Sequence, residues 1–167
     1  MVRGEKPNNQ AKGIAKKPKI FLAGPLFSAG ERAICRLLLD VLRDELGYEV
    51  FWAWDTCDEE VSKRLQIRPK AGWQAELRMR QRNLSKINVA IFESDKRLLD
   101  RSDIVIAVLD GADVDSGTAW EIGYAYAKGK PIIGIKSDFR FFAPGQSVNL
   151  MIEESIKEHG ELSLIHI

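Results

Sequence analysis

The chain has 167 residues, with 25 Lys and Arg against 24 Asp and Glu and a formal net charge of +1. This length suits one domain of common size, and the balanced charge offers no global field to attract nucleic acid or an anionic membrane. No apolar run approaches the roughly 20 residues that cross a bilayer, and the N-terminus lacks the apolar core of a secretory signal. The two cysteines and two histidines lack metal-site spacing. We therefore expect a cytoplasmic protein with a small-molecule ligand, no metal and no cofactor.

Both ends of the chain are predicted to lie outside the domain. Residues 1–18 carry four lysines among Asn, Gln, Gly and Pro, with almost nothing to bury, which favours a disordered basic leader over a nucleic-acid tail. The closing residues 162–167 resemble a translated sequencing adapter, and we hypothesise that they are not native. Residues 19–161 then form the single domain. Reading the source DNA across codon 161 tests this hypothesis.

Apolar runs and helical spacing alternate along the first part of this domain. Lys19–Ala23 is a short apolar run ended by Gly24 and Pro25, which predicts a buried first strand. Apolar residues then recur at helical spacing up to Leu46, and Gly47 follows at the position of a left-handed cap. The aromatic and β-branched run Tyr48–Trp52 predicts a second strand.

The alternation continues in the second part of the domain. The run Ile104–Leu109 is typical of a strand covered on both faces in a parallel sheet. The other predicted elements are helices at Trp73–Ile87, Asp95–Leu99, Gly117–Lys128 and Asn149–Glu158, and a strand at Pro131–Ile135. Together these elements predict an α/β fold, an open, flavodoxin-like or Rossmann-like parallel sheet of about five strands with helices on both faces.

One rim of this sheet is predicted to hold the ligand, because ligands of such folds bind beyond the carboxyl ends of the strands. The rule brings together residues 24–27, residues 110–121 and the loop that leads to Asn149. The rim is rich in carboxylates that no lysine or arginine interrupts: Asp110, Asp113, Asp115 and Glu121.

Glu121 is the candidate nucleophile of this rim. Asp115–Gly123 is typical of an N-cap followed by the opening turns of a helix. Near a helix start, the partial positive charge of the helix end favours the ionised carboxylate that a nucleophile needs. Gly123 is expected to let a neighbouring backbone approach closely. The pattern alone leaves a second interpretation open, in which Glu121 is a surface residue that complements the helix dipole.

Three stretches of the chain match one known family in order and spacing. They are IFLAGPLF at 20–27, FESDKRLLDRSDIVIAVLDGADVDSGTAWEIGYAYAKGKPIIGI at 92–135, and VNLMI at 148–152. Through them the chain resembles the nucleoside 2-deoxyribosyltransferases and their relatives, the 2′-deoxynucleoside 5′-phosphate N-hydrolases. The resemblance covers about Lys19–Ile152 and is weak from Trp54 to Lys86.

The resemblance implies a role for each matching residue. Glu121 matches the nucleophile that captures C1′ of a 2′-deoxynucleoside, and Asp95 matches the carboxyl group that exchanges a proton with the nucleobase. Asp115 matches a residue that grips a sugar hydroxyl. The other implied substrate-binding residues are Phe21, Gly24, Pro25, Gly117, Asn149 and Met151. Because the family takes Asn149 from a neighbouring subunit, we expect a homo-oligomer, a dimer or larger, with shared active sites.

Two carboxyl groups with different duties suit the cleavage of an N-glycosidic bond. One stabilises an oxocarbenium-like state and then captures C1′, while the other protonates the leaving base and deprotonates the incoming one. The predicted activity is transfer of the 2-deoxyribosyl group between nucleobases through a deoxyribosyl-Glu121 intermediate, with ping-pong kinetics. Its ligands are 2′-deoxynucleosides and free nucleobases. The pattern also allows Asp95 and Asn149 to be simple helix N-caps.

The chain departs from the family at Phe21, where many members carry a tyrosine whose hydroxyl hydrogen-bonds the nucleophile. Tyr124 is an alternative donor to Glu121. Trp52, Trp54 and Trp120 could stack on a base, although packing in the core or at the rim is the favoured interpretation of each.

Two competing functions are kept open. The first is a 2′-deoxynucleoside 5′-monophosphate N-glycosidase, which has serines where this chain has Pro25, Asp115 and Asn149. A carboxylate at Asp115 would repel phosphate, by about 4 kcal/mol for each charge pair at ~4 Å and an effective dielectric of ~20. The second is a non-catalytic nucleotide sensor on the same scaffold, since a fold alone does not set function.

Overall fold

The computed structural model describes residues 16–55 and 88–164, and the helix predicted at Trp73–Ile87 lies outside them. Within the described residues, five strands form one sheet in the order β2-β1-β3-β4-β5, and every pairing is parallel. The strands are β1 Lys19–Ala23, β2 Glu49–Trp52, β3 Ile104–Val108, β4 Ile132–Lys136 and β5 Gly160–Leu164. The predicted α/β fold with a five-stranded parallel sheet is confirmed.

The described ranges contain four helices of ten or more residues, and residues 53–55 are also helical. The four longer helices are α1 at Ala29–Asp40, which continues as a π-helical turn at Val41–Glu45, α2 at residues 88–101, α3 at Ser116–Ala127 and α4 at Leu150–His159. A capping box begins α1: the Ser28 hydroxyl accepts from the Glu31 amide at 3.2 Å, and the Glu31 carboxylate accepts from the Ser28 amide at 2.6 Å. None of the helices in residues 16–55 and 88–164 has the length and apolar character that crossing a membrane requires.

The sheet separates two apolar cores, so helices cover both of its faces. On one face α1 packs Cys35 and Leu39 against side chains of β1, β2 and β3. On the other face α2, α3 and α4 contribute Leu98, Leu99, Ile122 and Ile156, and these pack against the opposite side chains of the strands. The strand sequences are nearly continuous apolar runs because side chains on both faces of the sheet are buried.

A crevice opens between the ends of β1 and β3, because the chain leaves these neighbouring strands toward opposite faces of the sheet. Ala23 and Ala107 pair near these ends, and Gly24 follows β1 at once. A Cβ on Gly24 would lie 2.7 Å from Cys35 Sγ and 3.2 Å from Val108 Cβ, so the close packing here requires glycine. In sheets of this order the β1/β3 switch point is where ligands bind.

Two elements differ from the prediction. Helix α2 already includes residue 88, so Asp95 lies in its interior and does not open it. Strand β5 was not expected: it follows α4 without a turn and pairs in register with β4. A Cβ on Gly134 of β4 would lie 2.9 Å from both Ile156 Cδ1 and Leu109 Cδ1 and 3.1 Å from Leu162 Cδ1, so a glycine here makes room for side chains of α4 and β5. The hypothesis that residues 162–167 are not native stays a prediction.

Candidate active site

Two cavities lie side by side at the carboxyl ends of β1 and β3. Both are lined by Asp95, Gly117 and Glu121, so the two carboxyl groups stand where the cavities meet. The Asp115 cavity, of about 170 Å³, is lined in addition by Leu22, Gly24, Leu26, Phe27, Ala53, Asp115 and Thr118. The Trp120 cavity, of about 300 Å³, is lined in addition by Phe92 and Trp120. Five of the proposed site residues therefore meet here, namely Gly24, Asp115, Gly117 and Glu121 from the predicted rim and Asp95 from α2.

Helix α3 presents Glu121 from a well-capped start. Asp115 is its N-cap, and Oδ2 accepts from the Thr118 amide at 3.0 Å and from the Thr118 hydroxyl at 3.3 Å. Gly117 lies one turn before Glu121 on the same helix face. Because Gly117 has no side chain, the space beside the Glu121 carboxyl group stays open to both cavities.

The surroundings of Glu121 act against its predicted ionisation. Glu121 is the sixth residue of α3, beyond the first turn in which the helix dipole acts on a charge. Burial of the carboxyl group, followed by repulsion from Asp95 and then Asp115, raises the pKa of Glu121 from 4.5 to about 8. Burial of the side chain therefore opposes the ionised form that the helix start was expected to favour.

Asp95 reaches the site from a different helix. It lies in the interior of α2, with Phe92 one turn before it and the buried residues Leu98 and Leu99 one turn after it. Those two leucines pack α2 onto the sheet. The N-cap interpretation of Asp95 is wrong, because residues 88–94 are already helical. The packing of α2 and α3 on the same face of the sheet brings Asp95 beside Glu121.

An aromatic cluster of Phe92, Trp120 and Tyr124 borders the Trp120 cavity. The Trp120 and Tyr124 rings are stacked, with centroids 5.2 Å apart and planes 15° apart, and Phe92 meets Trp120 edge-on at 5.5 Å. The Tyr124 hydroxyl donates to Asp100 Oδ1 at 2.6 Å. Tyr124 is therefore committed to Asp100, which corrects the expectation that it serves as an alternative donor to Glu121.

Several predicted contacts lie outside both cavities. Phe21 is fully buried in the core under α3, so its expected contact with substrate is corrected to a packing role. Pro25 follows Gly24 but is not among the described lining residues, and its carbonyl oxygen lies 3.8 Å from Cys35 Sγ. Gly123 meets nothing within 4 Å of an added Cβ in the described part of the chain. The close backbone approach expected at Gly123 is therefore wrong.

Asn149 and Met151 also lie away from the cavities of their own chain. Asn149 is the N-cap of α4, and its Oδ1 accepts from the Met151 amide at 3.0 Å. The Met151 side chain is 75% exposed. The capping interpretation of Asn149 is confirmed, while a contact between Asn149 and substrate in a neighbouring subunit stays a prediction.

The sequence did not single out Phe92 as part of the site. Phe92 precedes Asp95 by one helical turn, but that spacing carries a signal only once the helix is known to begin before residue 92. Trp120 was recognised as a possible stacking residue, and the structure now places it in a cavity beside both carboxyl groups. Among residues 16–55 and 88–164, no group of three or more His, Cys, Asp or Glu side chains is arranged to hold a metal ion.

Comparison with known proteins supports the family suggested by these residues. The model of the nucleoside 2-deoxyribosyltransferase family matches residues 20–157. An uncharacterised protein of Ureaplasma parvum is 30% identical over 124 residues, which are 71% of this chain and 66% of that protein. The chain thus matches slightly less than two thirds of the length of this relative.

Two solved structures share the fold over most of their length. A conserved protein of Enterococcus faecalis has a TM-score of 0.64 and 24% identity, with 90% of this chain and 92% of that chain covered. A 2-deoxyribosyltransferase of Bacillus psychrosaccharolyticus has a TM-score of 0.60 and 25% identity, with 89% of this chain and 86% of that chain covered.

Proposed function

Because the chain belongs to the nucleoside 2-deoxyribosyltransferase family, an enzyme family of glycosyl transfer or hydrolysis on small nucleosides, we propose that it transfers 2-deoxyribosyl groups between nucleobases. The observation that carries the proposal is the meeting of Asp95 and Glu121, which line two adjoining cavities from two different helices. One carboxyl group acts as nucleophile on C1′, and the other exchanges a proton with the base.

The raised pKa of Glu121 supports a mechanism in which the carboxyl pair works with one proton. Burial of Glu121, and then its repulsion from Asp95, disfavours ionisation of Glu121 beside a second carboxylate. When that proton lies on Asp95, Glu121 is ionised and stabilises the oxocarbenium-like state. The bond from C1′ to the base nitrogen breaks with its electron pair going to the base, which takes the proton from Asp95. A bond then forms between C1′ and a carboxylate oxygen of Glu121.

The second half of the reaction reverses these movements. Asp95 is now ionised and removes a proton from the incoming base, whose nitrogen attacks C1′. The ester bond to Glu121 breaks, and its electron pair returns to the carboxylate. One base has replaced another, and the single proton is back on the carboxyl pair.

Asp115 favours free nucleosides over 5′-monophosphates as substrates. Its Oδ2 is held by Thr118, while Oδ1 accepts no hydrogen bond from the described residues and can bind a sugar hydroxyl. A phosphate at this end would face a carboxylate, at a cost of about 4 kcal/mol for each charge pair at ~4 Å and a dielectric of ~20 before screening. A nucleoside hydroxyl avoids that repulsion.

We also propose that the working protein is a homo-oligomer whose sites are completed across an interface. Asn149 and Met151 match the substrate contacts of the family but lie outside the cavities of their own chain. Leu150 and Met151 are 51% and 75% exposed at the start of α4, where a second copy of the chain can cover them. A protein that stays monomeric at working concentrations while exchanging bases contradicts this part of the proposal.

The proposed function is tested by base exchange. Deoxyinosine and adenine are incubated with the protein, and the products are separated by chromatography; we expect deoxyadenosine and hypoxanthine. Glu121→Ala should abolish the exchange. Glu154→Ala is the matched control, because Glu154 is an exposed helical glutamate of α4 that pairs with Lys157 outside both cavities, and it should keep the wild-type rate.

Parallel incubations separate the competing functions. If deoxyadenosine monophosphate is cleaved to adenine while no base exchange occurs, the protein is a nucleotide N-glycosidase. If deoxyinosine binds with equal affinity to the wild type and to Glu121→Ala and neither reaction occurs, the protein is a sensor. Either result overturns the transferase proposal.

A further inference from the structure

We propose that the Trp120 indole is the platform on which the nucleobase stacks, and that it sets how tightly the base is held. This inference rests on the proposed function, since it names the part of the same site that takes the planar ring. Trp120 directly precedes Glu121 in α3 and lines the Trp120 cavity beside both carboxyl groups.

The linings of the two cavities divide the substrate between them. The Asp115 cavity is lined by Leu22, Leu26 and Phe27, and it also contains the carboxylate of Asp115 and the hydroxyl of Thr118, which are groups that hydrogen-bond sugar hydroxyls. Beyond the shared residues, the described lining of the Trp120 cavity consists of the Phe92 and Trp120 rings. A substrate whose C1′ lies between the two carboxyl groups therefore extends its sugar into the Asp115 cavity and its base into the Trp120 cavity.

The Trp120 ring is held in place from one side. Tyr124 stacks on it at 5.2 Å with nearly parallel planes, and Phe92 contacts it edge-on at 5.5 Å. These contacts fix the plane of the indole. Trp120 is nevertheless 45% exposed and lines the Trp120 cavity, so a planar ring in that cavity can contact the indole.

Tyr124, which stacks on Trp120, is held in place by contacts of its own. The Tyr124 hydroxyl donates to Asp100, and the ammonium groups of Lys96 and Lys128 lie 5.2 and 5.3 Å from the Tyr124 ring centroid. Lys96 also donates to Asp100 at 3.0 Å. These contacts restrain the stack before any ligand arrives, and a preorganised partner loses less entropy when it binds.

Stacking on this platform suits an enzyme that must accept more than one base. Every nucleobase has a π-face, so stacking tolerates changes of sequence or ring type, and removal of one stacking aromatic weakens binding by about 5- to 150-fold. Asp95 then lies beside the stacked ring, where it can exchange the proton.

Binding of adenine alone tests the platform without any reaction. Adenine is titrated into the full-length wild type and into Trp120→Ala and Trp120→Phe by calorimetry. We expect the Kd of Trp120→Ala to rise at least about 5-fold, and that of Trp120→Phe, which keeps an aromatic face, to stay within about 3-fold. Adenine should also quench part of the tryptophan fluorescence of the wild type, and this quenching should be lost in Trp120→Phe.

A matched control and a kinetic readout separate stacking from a structural role. Phe139→Ala removes an aromatic ring that is 80% exposed and lies outside both cavities, and it should leave the Kd for adenine unchanged. In base exchange, Trp120→Ala should raise the KM for adenine by the same factor as the Kd, with kcat within about 2-fold. A lost kcat with an unchanged KM contradicts the platform.

Other results would also overturn the inference. A wild type that shows no fluorescence change with adenine, an unchanged Kd in Trp120→Ala, or a shift in oligomeric state instead of affinity would each assign Trp120 to packing. These results leave the proposed function standing if the wild type still exchanges bases. A different outcome is that adenine binding depends on Trp120 while the wild type exchanges no bases. This result would support the stacking role of Trp120 and contradict the proposed transferase activity.

Discussion

Among the described residues, the Asp115 cavity and the Trp120 cavity share Asp95, Gly117 and Glu121, and each has further lining residues of its own. The first adds an aspartate whose carboxylate caps α3 together with apolar side chains that include Phe27, and the second adds the rings of Phe92 and Trp120. A glycosidic substrate has the same division, since its sugar is rich in hydroxyl groups and its base is flat and aromatic. Under the proposed function, this comparison assigns the reacting carbon to the place where the two cavities meet, beside Asp95 and Glu121.

The largest expected loss of activity comes from substitution of the carboxyl pair that both cavities share. Asp95→Asn keeps the shape of the side chain but cannot give or take the proton of the base, so exchange should fall by about 10²- to 10⁴-fold. Steady-state kinetics with deoxyinosine and adenine measure the change. Glu93→Gln is the control, because Glu93 is an exposed acid of the same helix that pairs only with Arg97 in the described residues. An Asp95→Asn variant at wild-type rate would remove Asp95 from the mechanism.

The pH dependence of kcat/KM tests the shared proton. The pair must hold one proton for the leaving base, and Glu121 with its pKa near 8 marks the loss of that proton. We expect kcat/KM to be level around neutral pH and to fall about tenfold per pH unit above pH 8. If kcat/KM instead rises through pH 8, Glu121 acts as a simple nucleophile that must first be deprotonated. The proposal that the two carboxyl groups share one proton would then be contradicted.

The stability of Glu121→Gln tests whether burial and the neighbouring carboxylates disfavour an ionised Glu121 where the two cavities meet. The folded pKa of Glu121, about 8, lies above its ordinary value of 4.5, so between these pH values the folded protein holds a proton that the unfolded chain has released. Stability contributed by this group therefore falls as the pH rises from 4.5 to 8. Glutamine carries no titratable proton, so Glu121→Gln does not lose this stability. The variant should melt at least about 3 °C higher than the wild type at pH 8.

Thermal melts of the two proteins at pH 8 and pH 4.5 give the comparison. The difference in melting temperature should shrink toward zero at the lower pH. A Glu121→Gln variant that melts lower than the wild type at pH 8 would mean that the ionised carboxylate stabilises the fold.

The smallest change in kinetics is expected from Tyr124, whose ring stacks on Trp120 beside the Trp120 cavity. Tyr124→Phe loses the hydrogen bond to Asp100 but keeps the ring under Trp120, so the KM for adenine should rise by about 2-fold with kcat unchanged. Initial rates at varied adenine concentration measure both constants. A fall in kcat of more than tenfold would instead give the Tyr124 hydroxyl a role at Glu121.

The strands and α3 were predictable because short-range patterns define them. Lys19–Ala23 and Ser116–Ala127 end within one or two residues of the predicted limits, since Gly24 stops the strand and Asp115 caps the helix. The role of Asp115 at a helix start followed from the same local chemistry. Family resemblance added Asp95, which no local pattern would have placed near Glu121.

The parts that were not predictable depend on contacts between distant segments. Asp95 was expected to open a helix because aspartate is a good N-cap, but residues 88–94 are already helical, and Leu98 and Leu99 after Asp95 pack in the core. The raised pKa of Glu121 requires knowledge of how closely α2 and α3 approach. Strand β5 has no turn before it to mark its start.

The convergence of Asp95 and Glu121 on one glycosidic bond is tested most directly by the covalent intermediate. Wild-type protein is incubated with deoxyinosine, quenched in acid, digested and mapped by mass spectrometry. We predict one added deoxyribosyl group on the peptide that contains Glu121, absent after adenine is supplied in excess and absent from Glu121→Ala. An adduct on any other residue, or active exchange with no adduct at all, would contradict the account.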